Sequence, residues 1–177
     1  MELKGSRTEQ NLMSAFSGES EARNKYTYFA SVAKKEGYQQ IGELFESTAN
    51  NEKEHAKIWF KLLNGIGTTA ENLQSAASGE NYEHTNMYPE FAKVAQEEGF
   101  DNIAKLFTMV SKIEADHEAR YLKLLANVNE NKVFAKDSEV TWECRNCGHS
   151  EKGTSAPKTC PVCVHPESFF EVESTNY

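Results

Sequence analysis

Glu52 and His55, and again Glu114 and His117, stand in Glu-x-x-His pairs at an offset of 62 residues. Positions i and i+3 share one face of a helix, so each pair offers a carboxylate and an imidazole to the same point in space. One such pair is ordinary on a solvated helix. Two in register, each with a carboxylate about one helix length upstream (Glu19 for the first, Glu80 and Glu83 for the second), point to a dinuclear metal site. Oxygen-rich ligation with two imidazoles suits iron or manganese better than structural zinc. Glu83 is a fifth carboxylate, and charge gives it a purpose. Two ferrous ions with five carboxylates carry the same net charge as two ferric ions with those ligands and one oxo bridge. A buried centre of that kind passes through a two-electron cycle without a new desolvation cost. Tyr26, seven residues after Glu19, and Tyr88 in the second half are candidate hydrogen-bond donors to ligand carboxylates. His84 reads as a surface histidine.

The four cysteines form two Cys-x-x-Cys pairs, Cys144/Cys147 and Cys160/Cys163, twelve residues apart. That spacing is a strong signal for a tetrahedral thiolate site, and Cys147-Gly148 and Cys160-Pro161 supply the knuckle residues. Zinc and iron both fit. Iron is favoured because a redox dinuclear centre on the same chain needs one-electron delivery.

Helices must position the first site. Ser6 and Glu9 fit a capping box, apolar residues recur at helical spacing, and Gly37, Asn64-Gly65 and Gly99 are natural stops. The expected helices cover 7–36, 39–64, 69–98 and 101–126. The halves repeat, with Phe29, Ala33, Gly37, Ile41, Leu44 and Phe45 recurring as Phe91, Ala95, Gly99, Ile103, Leu106 and Phe107. In antiparallel hairpins the carboxylates and imidazoles then meet at one level, about 22–28 Å from each turn. Core packing does not explain this, because unpaired buried charge is prohibitive. The register also breaks once. Gly18-Glu19 recurs as Gly79-Glu80 at an offset of 61, yet Tyr26 recurs as Tyr88 at 62. One extra residue inside a continuous helix predicts a π-bulge between Glu80 and Tyr88, with Pro89 helping to tolerate it.

The expected organisation is a bundle over 1–127, a linker over 128–132 and a loop-rich unit over 133–177. Phe134, Trp142, Phe169 and Phe170 are its candidate core residues. A unit that small needs a structural metal. The 177 residues carry a net charge of −8, which argues against a nucleic-acid partner. No apolar run reaches membrane-spanning length, and the start has no apolar signal-peptide core. A cytoplasmic location is the expectation, and four thiols outside disulfides agree with it.

These segments resemble the rubrerythrin family from end to end. The residues that carry the resemblance are Ala15-Phe16-Ser17-Gly18-Glu19-Ser20, Asn51-Glu52-Lys53-Glu54-His55-Ala56, Gly79-Glu80-Asn81-Tyr82-Glu83, Met87-Tyr88-Pro89 and Glu114-Ala115-Asp116-His117, followed by the four-cysteine unit. The resemblance implies an all-α ferritin-like four-helix bundle holding a di-iron centre, followed by a small rubredoxin-like metal-bound β/loop domain with one mononuclear iron. It implies reduction of hydrogen peroxide to water, with electrons arriving from an external reductase or rubredoxin-type carrier through the tetrathiolate iron. It also implies that one bundle iron exchanges Glu83 for His55 on reduction. Val164 departs from the pattern, since free-standing rubredoxins usually carry glycine there. That substitution bears on an N–H to sulfur contact and on the iron potential.

Two rival functions remain open in the residues. A ferroxidase or iron-storage protein shares the bundle but has no use for a thiolate electron carrier. A structural zinc-ribbon interaction protein would leave the bundle metals inert.

Chain length across the middle raises a question of assembly. In a ferritin-like arrangement, a crossover from Asn64 to a third helix beginning at Thr69, a plausible N-cap, must cover about 34 Å. Five residue steps reach about 17–18 Å. The expected solution is a helix-swapped homodimer, each site taking Glu19, Glu52 and His55 from one chain and Glu80, Glu83, Glu114 and His117 from its partner.

Overall fold

The computed structural model describes residues 2–176. Helix α1 (Arg7–Lys35) and helix α2 (Gln39–Leu62) form the first hairpin. Helix α3 (Thr69–Tyr82), a π-turn (Glu83–Met87) and helix α4 (Tyr88–Glu97) together form one arm of the second, and helix α5 (Asp101–Asn129) forms the other. This is the mostly helical, ferritin-like composition expected. By contacts the chain divides into two compact units, Met1–Gly67 and Thr68–Tyr177.

Helix ends follow from local chemistry. Ser6 Oγ accepts from the Glu9 N–H at 3.1 Å, but Glu9 reaches back to the Gly5 N–H rather than to Ser6. The cap of α3 is Thr68, not Thr69, and with Glu71 it forms a complete capping box worth about 1 kcal/mol. Each long helical arm stops in the same way. Gly37, Asn64, Gly99 and Asn131 lie in the left-handed region, with φ of 91°, 55°, 85° and 56°. The N–H of the following residue then closes back on the helix (Tyr38 on Ala33, Gly65 on Phe60, Phe100 on Ala95, Lys132 on Asn127). This is the Schellman stop, which satisfies carbonyls the helix leaves open. It also corrects the last boundary. Helix α5 runs to Asn129, three residues past the expected 126, because Asn131 and not an earlier residue takes the left-handed position.

The extra residue between Glu80 and Tyr88 is absorbed as expected: Glu83–Met87 is a π-turn, closed by the Tyr88 N–H on the Glu83 carbonyl. Pro89 follows in the first turn of α4, where its missing N–H costs least.

The C-terminal part is a three-stranded antiparallel sheet in the order β2-β1-β3, with β1 Ala135–Cys144, β2 Ser150–Ser155 and β3 Phe170–Val172. Trp142, Cys144, Ala156, Cys160 and Phe170 form its core, with Phe134 packed against them. Trp142 Nε1 donates to the Gly153 carbonyl at 3.1 Å, which satisfies its polar edge. Phe169, expected in this core, is instead 38% exposed and packs its ring against His165. Alternation along the β3 entry turns Phe170 inward and leaves Phe169 outside. Among the described residues no helix is long and apolar enough to cross a membrane.

Candidate metal centres

Three groups of side chains are arranged to hold metal ions. The first hairpin brings together Glu19 of α1 with Glu52 and His55 of α2. His55 Nδ1 lies 2.8 Å from Glu52 Oε2 and 3.8 Å from Glu19 Oε1. The second hairpin repeats this almost to the decimal. His117 Nδ1 lies 2.8 Å from Glu114 Oε2 and 3.7 Å from Glu80 Oε1. Donors each about 2.1 Å from a first-row ion stand about 2.8–4.2 Å apart, so both triads match a shared ion.

Burial and charge are uneven. Glu80 is held above the ordinary carboxylate range, first by burial and then by the charge of Glu114. Tyr88 is likewise pushed up by burial and then by Glu83, Glu114 and Glu80, so its hydroxyl keeps its proton. Glu83 opens the π-turn and stands outside the tight triad, but its charge reaches both Glu80 and Tyr88. The two tyrosines occupy equivalent aromatic clusters. Tyr26 lies against Phe29 and Phe45 at 6.3 and 6.1 Å, and Tyr88 against Phe91 and Phe107 at 6.5 and 6.0 Å.

His84 is not a surface residue. Its side chain is 21% exposed, and Nε2 lies 2.6 Å from Glu118 Oε2. Asn81 Nδ2 donates to the other oxygen of Glu118 at 3.0 Å, and Ser111 Oγ donates to the His84 carbonyl at 3.1 Å. Glu118 is held below the usual carboxylate range, chiefly by its hydrogen bond to His84. Glu118 and Ser111 were missed by reading motifs, yet a signal existed: the repeat places Ala56 and Ala49 at the equivalent positions.

The third group is Cys144, Cys147, Cys160 and Cys163. Cys144 and Cys163 sulfurs are 3.6 Å apart, and those of Cys147 and Cys160 are 3.7 Å apart. A tetrahedron with metal–sulfur bonds of about 2.3 Å has edges of about 3.75 Å, so the cluster fits one ion. Two matching knuckles shape it. The Gly148 N–H returns to the Cys144 carbonyl, and the Val164 N–H to the Cys160 carbonyl. Gly148 and Val164 are both left-handed, at φ 75° and 61°. For a β-branched residue that conformation is strained. The surroundings of the thiols differ in their electrostatics. The His165 N–H leads in holding Cys163 down to about 5. Cys147 is favoured as thiolate by the His149 N–H, but burial and the neighbouring thiols together push it up to about 12.

The rubrerythrin family model matches residues 10–125, and the model of the rubrerythrin rubredoxin-like domain matches residues 142–171. A rubrerythrin of Porphyromonas gingivalis is 53% identical, covering 99% of this chain and 94% of the relative. A rubrerythrin of Nitratidesulfovibrio vulgaris is 45% identical, covering 99% and 98%. A solved structure of nigerythrin in a mixed-valent state shares 34% identity over 95% of this chain and 87% of that one, at a TM-score of 0.36. The sequence matches therefore carry the assignment. The carboxylate–histidine groups are those of a di-iron site and the four cysteines those of a rubredoxin-type iron. Triads repeated in both hairpins, a four-cysteine cluster and matches that run nearly the length of the chain lead to one conclusion: the protein belongs to the rubrerythrin family.

Proposed function

We propose that this iron-dependent oxidoreductase reduces hydrogen peroxide to water in defence against oxidative stress. The observation that carries the reading is the pairing, on one chain, of two matched carboxylate–histidine triads with a four-sulfur cluster. Iron storage needs only the first. An inert zinc ribbon needs only the second.

When bound, the iron pair would supply two electrons and Lewis acidity toward the peroxide oxygens, and the tetrathiolate iron would supply one-electron redox chemistry. The chain does the rest. Glu19, Glu52, Glu80, Glu114 and His117 would hold the metals, with Glu83 and His55 as the two ligands whose binding would depend on oxidation state. Tyr88 keeps a proton at its hydroxyl next to three carboxylates, and Tyr26 is its counterpart in the first hairpin. Both serve as hydrogen-bond donors to ligand carboxylates. Cys144, Cys147, Cys160 and Cys163 would hold the iron that is the entry point for electrons from an external reductase or a rubredoxin-type carrier.

Residues 1–127 form the di-iron domain on this reading, 128–132 the linker, whose first two residues are the last of helix α5, and 133–177 the rubredoxin-like domain. The matched stretches, which end at 125 and resume at 142, support the division. A reducing cytoplasm suits four cysteines that form no disulfide.

The reading includes a helix-swapped homodimer. Helix α2 continues ten residues past Glu52 to Leu62, and α3 starts eleven residues before Glu80. Joining them within one ferritin-like bundle requires about 31–32 Å, whereas seven residue steps reach at most about 23–25 Å. Asn64, at φ 55°, shortens that reach further. Each hairpin also leaves a matched apolar set open. Phe29, Ile41 and Leu44 are 46%, 48% and 62% exposed, and Phe91, Ile103 and Leu106 are 44%, 45% and 59% exposed. A second copy of the chain is the occupant that both sets fit.

The test compares peroxide consumption, driven by a reductase, with retention of added ferrous iron as mineral. Donor-driven peroxide turnover without mineral supports the reading, and mineral growth without turnover overturns it.

A further inference from the structure

A π-turn carries a structural cost that the α-helix around it does not. The longer i to i+5 closure leaves a carbonyl out of the regular ladder, and a backbone acceptor away from water needs a partner. In the second hairpin that partner is a side chain of the facing helix. Ser111 Oγ donates to the carbonyl of His84, the second residue of the π-turn. The side chain of the same residue is tied to α5 as well, through His84 Nε2 and Glu118 Oε2 at 2.6 Å. Asn81, just before the turn, holds the other oxygen of Glu118. One residue of the π-turn is thus fastened to α5 by both its backbone and its side chain.

The repeat supplies an internal control. The first hairpin has no π-turn, since α1 runs unbroken from Arg7 to Lys35. At the positions equivalent to Ser111 and Glu118, it has Ala49 and Ala56, both buried. The two polar residues that grip the π-turn are alanine in the half that lacks one. General solubility or helix pairing would not produce that coincidence, because both hairpins need those equally.

We propose that Ser111 and Glu118, acting on His84, are positioning residues that hold the π-turn and so aim the carboxylate of Glu83, its first residue, at the iron centre. The inference rests on the function proposed above, in which Glu83 is the exchangeable ligand. The clamp makes the two halves of the site unequal: only the second hairpin carries the fifth carboxylate, and only the second carries the device that holds it.

The test uses the iron-loaded full chain with Ser111→Ala and Glu118→Ala combined, which installs the residues of the first hairpin. Losing these bonds should speed amide exchange across residues 83–87 by about tenfold. The ferric bundle spectrum should move toward that of Glu83→Ala, while bundle iron content stays at the unmodified level. Peroxide turnover should fall in kcat more than it changes KM. Glu118→Gln keeps an oxygen acceptor for His84 and should restore most of each signal. Ser111→Ala alone, which leaves the His84 carbonyl without its side-chain donor, should move each signal part of the way and is the readable variant if the double substitution fails to fold. Unchanged exchange, or faster exchange with an unmodified ferric spectrum, would overturn the proposal. The exchange and spectral readouts need no peroxide chemistry, so their failure is separable from failure of the peroxidase reading.

Discussion

Nδ1 of His117 stands 2.8 Å from Oε2 of Glu114, the same separation that His55 keeps from Glu52 in the other hairpin. Two helices of different sequence reproduce one donor geometry because the i, i+3 spacing fixes it. The halves differ elsewhere, in the π-turn and in Glu83. Equal metal grips with one unequal ligand are what a centre needs if a single ion is to change its coordination.

Glu83→Ala should therefore keep bundle iron, since Glu80, Glu114 and His117 still form a triad. Its peroxidase rate should fall by at least about tenfold, the scale of one lost charged ligand interaction. His55→Ala should weaken iron retention more in the reduced protein than in the oxidised one. Metal analysis in both states, with steady-state turnover, checks the pair. An unmodified rate in Glu83→Ala would remove the exchangeable role.

Complementation tests the assembly. Glu52→Ala and Glu114→Ala each damage one triad of every chain. When they are refolded together in equal amounts, half of the dimers are mixed and carry one intact site of two, so turnover should recover to roughly a quarter of the unmodified value. Recovery no greater than the sum of the separate variants, or a monomer retaining both bundle irons, would end the swapped-dimer account.

Glu80 provides a pH prediction. Its pKa is raised by burial and by Glu114, so it stays protonated at pH values where exposed carboxylates have ionised. A metal ion must displace that proton, and bundle iron should be lost on acidification before ordinary surface carboxylates titrate. In the apo protein the sign is opposite. A raised acid pKa favours the folded state at low pH, and that contribution disappears as pH rises through the raised value. Iron retention, and the apo melting temperature measured relative to apo Glu80→Gln, each followed from acid to neutral pH, should slope in opposite directions. Parallel slopes would contradict the assignment.

Much of this was legible in the chain because it is local or repeated. The i, i+3 pairs, the two Cys-x-x-Cys knuckles and the offset change from 61 to 62 across the π-turn are properties of neighbouring residues. What escaped depends on partners distant in sequence. His84 looked like a surface residue because its partner, Glu118, lies 34 positions away. Helix α5 overran its expected end because asparagine, a weaker stop signal than glycine, takes the left-handed position at 131. Phe169 and Phe170 are adjacent aromatics, and only the strand pairing of Cys144 with Phe170 decides which one turns inward.

Val164 is the strained member of the two knuckles, at φ 61° where its counterpart is Gly148. Val164→Gly should relieve about 1–2 kcal/mol of left-handed strain, less about 0.4–1 kcal/mol of added unfolded-state freedom. The red thiolate chromophore should then bleach at a slightly higher temperature. Lower resistance to bleaching would show that the valine side chain contributes packing that outweighs its strain.

The central claim, that electrons reach peroxide from the four-cysteine iron through the bundle iron, is tested most directly by single turnover of Cys160→Ser beside the unmodified protein. Both are fully reduced without oxygen, mixed with peroxide, and then supplied with an external reductase. In each, the bundle iron should oxidise as peroxide is consumed, with water and no dioxygen formed. Only the unmodified protein, with about three irons per chain, should then be re-reduced and turn over again. Continued turnover by Cys160→Ser with the reductase, or bundle iron that peroxide leaves reduced, would contradict the account.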